Sequence, residues 1–356
     1  MNLKKVIYII VPDLPPNING VGDYAYLLAK SIREYNIQIN FCFIVAGNPQ
    51  YSLQVYDGFE VITLPSKNSK VLTTILNNIK AKFVHVHYVG YGYEKRGAPF
   101  WLYFGLLKWK QKEEGFLITT FHELYANSTF PWTSSFWNQW FQKLICKKIY
   151  NLSKFIITSR ESFRKVLINF SPYLDIYVLP VFSNFGEMSK YQNIDSRQKG
   201  LVILGSLETR SNVYNNFQKE LNLICQNYCI NRIFDIGPKI DKLPNISIPI
   251  IELGILQPNE VSNLLNKNSF GIIAGHSSNF FAKSGIFAAY AAHGIIVFAL
   301  NANLSKIEDG LIVNQHFVTI NSVNINYNVI SQIVYEWYNN HNLKKQTISY
   351  SNIFNS

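Results

Sequence analysis

The chain has 356 residues, 48% of them hydrophobic and 15% charged, with 13 prolines and a formal net charge of +11. That length favours two domains, each able to bury its own core. The apolar content excludes a disordered chain, and the scattered prolines exclude a fibre.

Lys4 and Lys5 precede an apolar run, Val6–Val11, that ends at Pro12. The run is shorter than the roughly 7 to 15 residues of a signal-peptide core and reads as a first strand. Further short β-rich runs follow at Asn40–Val45, Phe83–His87, Phe116–Phe121, Phe155–Thr158, Leu201–Leu204, Arg232–Ile236, Phe270–Ala274 and Ile295–Ala299. They alternate with helical patterns, which predicts parallel sheets with crossover helices. The apolar periodicity lapses between Pro180 and Gly200, so a linker is expected there. The division that follows is an N-terminal Rossmann-like domain over 1–184 and a C-terminal one over 185–356, with a C-terminal helical segment that can cross back. Ligands of doubly wound α/β sheets bind beyond the carboxyl ends of the strands. Two such domains put the expected ligand position in the cleft between them.

The longest apolar stretch, Gly285–Leu300, contains His293 and Gly294 and is shorter than the roughly 18 to 20 residues of a spanning helix. It reads as a buried helix followed by a buried strand. Cys42, Cys146, Cys225 and Cys229 show no paired ligand spacing, and reduced thiols point to a cytoplasmic protein.

The charge is uneven. Residues 1–185 carry 20 Lys and Arg against 11 Asp and Glu, whereas 186–356 carry 13 against 11. Within the first half, Lys95–Lys165 holds 12 basic and four acidic residues, and also Trp101, Trp109, Trp132, Trp137 and Trp140. Basic residues interleaved with aromatic rings suit an anionic membrane surface, giving a peripheral contact at its inner face. Nucleic acid can use the same residue types. A solvated basic face over an aromatic core is the plainer alternative. Candidate membrane contacts are Lys108, Trp109, Lys110, Lys147 and Lys148.

Four motifs carry candidate chemistry. Asn19-Gly20-Val21-Gly22-Asp23-Tyr24 follows the first strand and opens a helical run, so Gly20 and Gly22 can let backbone approach a ligand, or form an ordinary tight turn. Thr119-Thr120-Phe121-His122-Glu123 ends a strand, where His122 can position a sugar hydroxyl or serve as a structural histidine. Gly205-Ser206-Leu207-Glu208-Thr209-Arg210 leaves the first strand of the second domain, with Arg210 a candidate anion contact. Phe280-Phe281-Ala282-Lys283-Ser284-Gly285 precedes a helix. There Lys283, Ser284 and the amides of Gly285 and Ile286 can hold a diphosphate without a metal, or simply cap a buried helix. No Asp-x-Asp clamp, His-x-x-x-His pair or Ser/His/Asp ordering stands out.

Taken in order, these residues resemble the GT-B glycosyltransferases of the large retaining family, group 1 type, that includes transferases of bacterial surface polysaccharides. The likeness runs nearly the full length. Asn19–Tyr24 resembles the family's first-domain glycine loop, and His122-Glu123 sits where the family has a histidine facing the donor sugar. Val178-Leu179-Pro180 with Ser183-Asn184 resembles the start of the linker, and Leu204-Gly205-Ser206 the second-domain Gly-Arg loop. Glu252-Leu253-Gly254-Ile255-Leu256 resembles the segment beside the base, and Ala292-His293-Gly294 the end of the phosphate-binding helix. Three departures stand out: Ser206 replaces the family arginine, and Phe281 and Ala289 occupy the places of two glutamates.

The resemblance implies an α/β fold of two doubly wound Rossmann-like domains, with the acceptor in the first and a nucleotide-diphosphate sugar in the second. It implies transfer to a glycan or lipid-linked acceptor hydroxyl with retention; the absence of an Asp-x-Asp clamp and the positive groups named above lead us to expect no metal, and no cofactor or nucleic-acid partner is expected. The implied catalytic residues are His122 and Glu123. The implied donor-binding residues are Gly20, Gly22, Ser206, Arg210, Leu256, Lys283, Ser284 and Gly285. The missing glutamates keep a catalytically silent GT-B scaffold or binding subunit open as the alternative. A sugar-nucleotide epimerase of the same shape is a third reading.

Overall fold

The computed structural model of the chain describes residues 4–17, 19–47, 54–113, 115–172, 174–244, 246–274, 278–301 and 309–355. The chain divides into two compact units, Met1–Leu179 with Gln346–Ser356, and Pro180–Lys345.

In chain order the first unit contains β1 (Lys5–Val11), α1 (Gly20–Tyr35), β2 (Ile39–Val45), β3 (Val55–Tyr56), β4 (Phe59–Thr63), α2 (Ser69–Asn78) and β5 (Phe83–Tyr88). It continues with α3 (Gly90–Tyr93), α4 (Phe100–Glu113), β6 (Phe116–Phe121), α5 (Ser134–Leu152), β7 (Phe155–Thr158), α6 (Glu161–Ile168) and β8 (Ile176–Val178). The sheet order is β3-β4-β2-β1-β5-β6-β7-β8, parallel throughout except for the β3–β4 pair. α1 forms because Asn19 caps it, its side-chain oxygen accepting from the Val21 and Gly22 amides. Tyr24, Leu28 and Ile32 then repeat every four residues on its buried face.

The second unit contains β9 (Gln198–Leu204), α7 (Leu207–Asn216), α8 (Gln218–Asn227), β10 (Arg232–Ile236), β11 (Ile250–Gly254) and α9 (Pro258–Lys267). β12 (Asn268–Ala274), α10 (Gly285–Ala292), β13 (Ile296–Leu300) and α11 (Tyr327–Asn339) follow, and α12 (Leu343–Asn355) closes the chain. Its sheet is parallel with order β11-β10-β9-β12-β13. α10 is buried along Phe287–Ala292, and β13 is buried at every position.

All nine strands expected from apolar runs are present. The additional strands β3, β4, β8 and β11 lie at or next to sheet edges. An edge strand need not be covered on both faces, and β8, three residues long, and β11 carry only half-buried and exposed residues. Pro180–Asn184 groups with the second unit, five residues earlier than the expected break. The Val181 amide donates to the Ala282 carbonyl at 2.9 Å, and the Ser183 amide to the Tyr338 hydroxyl at 2.9 Å.

The last residues of α12 complete the first unit's core. Phe354 packs edge-on to Phe41 and His85, and Thr347 shares a 2.7 Å hydrogen bond with Ser31. Phe354→Ala should therefore destabilise the first unit by about 3–5 kcal/mol. In a urea titration it should lower the midpoint of the transition reported by first-unit probes and leave the second unit's midpoint in place.

Candidate functional site

In each sheet the strand order reverses direction at one point, between β1 and β5 in the first unit and between β9 and β12 in the second. Crevices at such points are where doubly wound sheets bind ligands.

At the first reversal, β1 leads to the start of α1, β5 ends at His87-Tyr88, and β6 leads to His122. Tyr93, fully buried on α3, lies with its hydroxyl 2.9 Å from the Ile10 carbonyl and 3.0 Å from the His87 carbonyl. One proton serves both acceptors where the strands part. The His122 amide donates to the Tyr88 carbonyl at 3.0 Å, which fixes the loop after β6. The His122 ring stacks on His87 with Nε2 3.0 Å from His87 Nδ1, and meets Tyr24 edge-on at 5.1 Å. His85 and His87 share one face of β5, ring centroids 4.3 Å apart, and both are fully buried. Burial, with the neighbouring His122, pushes His85 down to about 3, and burial with both neighbouring histidines holds His87 well below its usual range. Glu123 follows at a half-buried position.

The two glycines of the first motif do different things. A Cβ at Gly22 would lie 2.2 Å from the Asp13 carbonyl oxygen, so Gly22 serves the close approach of α1 to the β1 exit. A Cβ at Gly20 would meet nothing within 4 Å among the described residues, so a side chain there would have room. Asp23, in the first turn, is raised to about 6 by burial.

At the second reversal the Tyr290 hydroxyl accepts from the Leu204 amide at 3.3 Å and donates to the Val202 carbonyl at 2.8 Å. A Cβ at Gly205 would lie 2.8 Å from Ile286 Cδ1, so the loop after β9 and the start of α10 are neighbours. Ser284 caps α10 by accepting from the Phe287 amide at 3.2 Å, and a Cβ at Gly285 would meet nothing within 4 Å among the described residues. Lys283 is half-buried with its ammonium 5.1 Å from the Phe280 ring centroid. Ser206 caps α7, accepting from the Thr209 amide at 3.2 Å. Leu256 lies two residues beyond β11, half-buried at the sheet edge.

Arg210 corrects the sequence reading. It is fully buried, ion-paired to Asp235, with Nε donating to the Gly205 carbonyl at 3.0 Å and its remaining fork to the Pro238 carbonyl. Asp235 also accepts from the Tyr214 hydroxyl at 2.7 Å. The guanidinium ties the β9 and β10 exits together and leaves no face for a ligand. Gly237 has φ 146°, and a Cβ there would lie 2.6 Å from Arg210 Nε, so glycine makes room for the arginine. Phe281 and Ala289, where glutamates were sought, are core residues, and Phe281 stacks on Phe287 at 4.6 Å.

Trp109 is a second correction. It is fully buried, its indole N–H donating to the Ala81 carbonyl at 2.9 Å, and Lys110 donates to the Leu152 carbonyl. The exposed tryptophans are Trp132, Trp137 and Trp140, at 82%, 67% and 71%. On α5, Trp137, Trp140, Phe141 and Leu144 form one exposed stripe at helical spacing, continued by exposed Lys147 and Lys148. Phe100 and Phe104 of α4 are also exposed, and Phe100 meets Phe141 at 6.1 Å. Among the described residues no helix is long and apolar enough to cross a membrane.

Sequence reasoning missed His85, His87 and the α12 residues Gln346 and Tyr350. Tyr24 donates to Gln346 Oε1 at 2.5 Å, and Thr120 bridges His85 Nε2 and the Tyr350 hydroxyl at 2.9 Å each. The available signal was His-x-His inside an otherwise apolar strand, two polar rings on one face of a run that should be buried.

No family model matches the chain, and no curated protein matches it in sequence. Solved structures match its fold. HepE from Anabaena, in complex with UDP-glucose, has TM-score 0.60 and 9% identity, covering 98% of this chain and 99% of that one. WaaG, a glycosyltransferase involved in lipopolysaccharide biosynthesis, has TM-score 0.55 and 10% identity, covering 97% and 95%. A Listeria monocytogenes protein assigned as a UDP-N-acetylglucosamine 2-epimerase has TM-score 0.57 and 11% identity, covering 97% and 94%. The chain has the GT-B fold, two Rossmann-like units of parallel α/β structure.

Removing one partner of a buried ion pair strands the other charge and costs about 3–5 kcal/mol. Arg210→Ala should therefore lower the second unit's unfolding midpoint strongly, as should Asp235→Ala. An Arg210→Ala protein of unchanged thermal stability would show that the guanidinium is not the internal tie described.

Proposed function

We propose that the chain is a glycosyltransferase that moves a sugar from a nucleotide-diphosphate sugar to a hydroxyl of a glycan or lipid-linked acceptor. The observation that carries this reading is the second unit's reversal point. There the open backbone of Gly285 at the start of α10, with Lys283 beside it, adjoins the Gly205-Ser206 loop. A helix start with an adjacent ammonium suits a diphosphate, the place where charge develops as the sugar leaves. Likeness in fold to a protein solved with UDP-glucose and to a lipopolysaccharide glycosyltransferase supports the same class of donor.

The second unit takes the donor, with Lys283, Ser284, Gly285 and Ser206 at the diphosphate and Leu256 toward the base. Arg210 acts there only by holding the loops. The first unit takes the acceptor, with His122 positioning a sugar hydroxyl, Glu123 beside it, and Gly20 at the start of α1. In the retaining route the acceptor oxygen attacks the anomeric carbon on the face that the diphosphate leaves. The carbon–phosphate-oxygen bond breaks, the new glycosidic bond forms, and the acceptor proton passes to the departing phosphate oxygen. Lys283 and the α10 dipole stabilise that oxygen without a metal.

Charged hydrogen bonds contribute about 1.5–3 kcal/mol. Lys283→Ala should thus weaken UDP-glucose binding by roughly ten- to a hundredfold in calorimetry. Purified protein should transfer or hydrolyse a sugar from a panel of UDP-, GDP-, ADP- and dTDP-sugars, with a rate unchanged by EDTA. Tight binding without turnover of any donor would favour a silent binding subunit, and an epimerised sugar nucleotide as the sole product would favour an epimerase.

The exposed stripe Trp137, Trp140, Phe141 and Leu144, ending in Lys147 and Lys148, fits a peripheral contact with an anionic leaflet on the acceptor side. Rings enter the headgroup region, and each basic residue near the surface contributes about 1 kcal/mol. The chain should co-sediment with anionic liposomes at low salt and be released at high salt. Trp137→Ser with Trp140→Ser should weaken the binding. A native chain that stays in the supernatant at low salt would make the stripe a contact for something else.

A further inference from the structure

The buried histidine on β5 constrains the half-buried one after β6. His87 Nδ1 lies 3.0 Å from His122 Nε2, so one of these nitrogens carries the proton and the other accepts it. The other ring nitrogen of His87, Nε2, is buried and has no hydrogen-bond partner among the described residues. Burial and the neighbouring His85 and His122 keep the His87 imidazole neutral, with a single N–H. If that proton sat on Nε2, a buried donor would have no acceptor, the rarer defect in folded proteins. On Nδ1 the same proton makes the observed hydrogen bond and leaves Nε2 a bare lone pair. The rings that crowd His87 hold this arrangement. His85 packs at 4.3 Å, and Tyr24 meets His87 edge-on at 5.8 Å while its hydroxyl donates to Gln346.

We infer that His87 is a positioning residue that donates its Nδ1 proton to His122 Nε2 and thereby fixes His122 as the tautomer protonated at Nδ1. In that state His122 presents an N–H, rather than a lone pair, to whatever lies on its Nδ1 side. A sugar hydroxyl there would be met as an acceptor through its oxygen. This last step rests on the sugar-transfer reading, whereas the tautomer does not.

The test is long-range nitrogen–proton NMR on the full chain labelled with nitrogen-15 histidine, with no ligand. In the native protein His122 should carry its proton on Nδ1. In His87→Leu it should revert toward Nε2–H, the form that a neutral imidazole prefers in water. His87→Asn should keep Nδ1–H, because the asparagine amide can donate from about the place of the imidazole Nδ1. A native His122 protonated at Nε2, or a tautomer unmoved by His87→Leu, would overturn the inference, and the native spectrum decides even if the leucine variant folds poorly.

With UDP-glucose as the probe, His87→Leu should lower kcat about tenfold with the Kd for UDP alone unchanged, and His87→Asn should restore it. A flipped tautomer with unchanged kcat would remove His87 from the sugar chemistry. The expected tautomers in a native chain that turns over no donor would instead sink the transferase reading and leave the positioning role standing.

Discussion

Where neighbouring parallel strands part, backbone amides and carbonyls lose their ladder partners and must find others inside the protein. Both sheets meet this constraint with a fully buried tyrosine. Tyr93 covers the Ile10 and His87 carbonyls in the first unit, and Tyr290 covers the Leu204 amide and the Val202 carbonyl in the second. The candidate site groups stand beside these two points. Without the hydroxyls, the Ile10 and His87 carbonyls, the Leu204 amide and the Val202 carbonyl would each lose a buried partner.

Charge is divided by burial. Arg210 lies inside, where its fork joins Asp235 and two carbonyls, so it acts on the loops after β9 and β10 and not on solvent. Lys283 stays half-buried at the start of α10, beside the open backbone of Gly285. A buried guanidinium would have to abandon its partners before it could meet a ligand. The histidines divide the same way, with His85 and His87 buried beneath a half-exposed His122.

The aromatic residues of the basic segment follow one rule with two outcomes. Trp101 and Trp109 lie on the inner face of α4, while Trp137 and Trp140 lie on the outer face of α5, whose inner face is Gln142, Ile145, Cys146, Ile149 and Tyr150. Composition placed all of them in one basic, tryptophan-rich stretch. Only the rotation of each helix against its sheet separates core from surface.

The sequence by itself determined the α/β class, the nine strands with apolar runs, a helix after the first strand and the glycine-bearing loop after β9, because each is marked by a pattern of residue types close together in the chain. Strands buried on one face alone were not legible in it, nor was the start of the second unit at Pro180, which depends on bonds to Ala282 and Tyr338. Tertiary structure alone decided that Arg210 is internal, that Gly22 packs against the β1 exit, and that His87 reaches His122. Each of these is settled by a partner on another element: Asp235 for Arg210, Asp13 beyond β1 for Gly22, and a neighbouring strand exit for His87. A local pattern records which residue types are present, but only the register of β5 against β6, and of β9 against β10, brings their polar atoms within hydrogen-bonding distance.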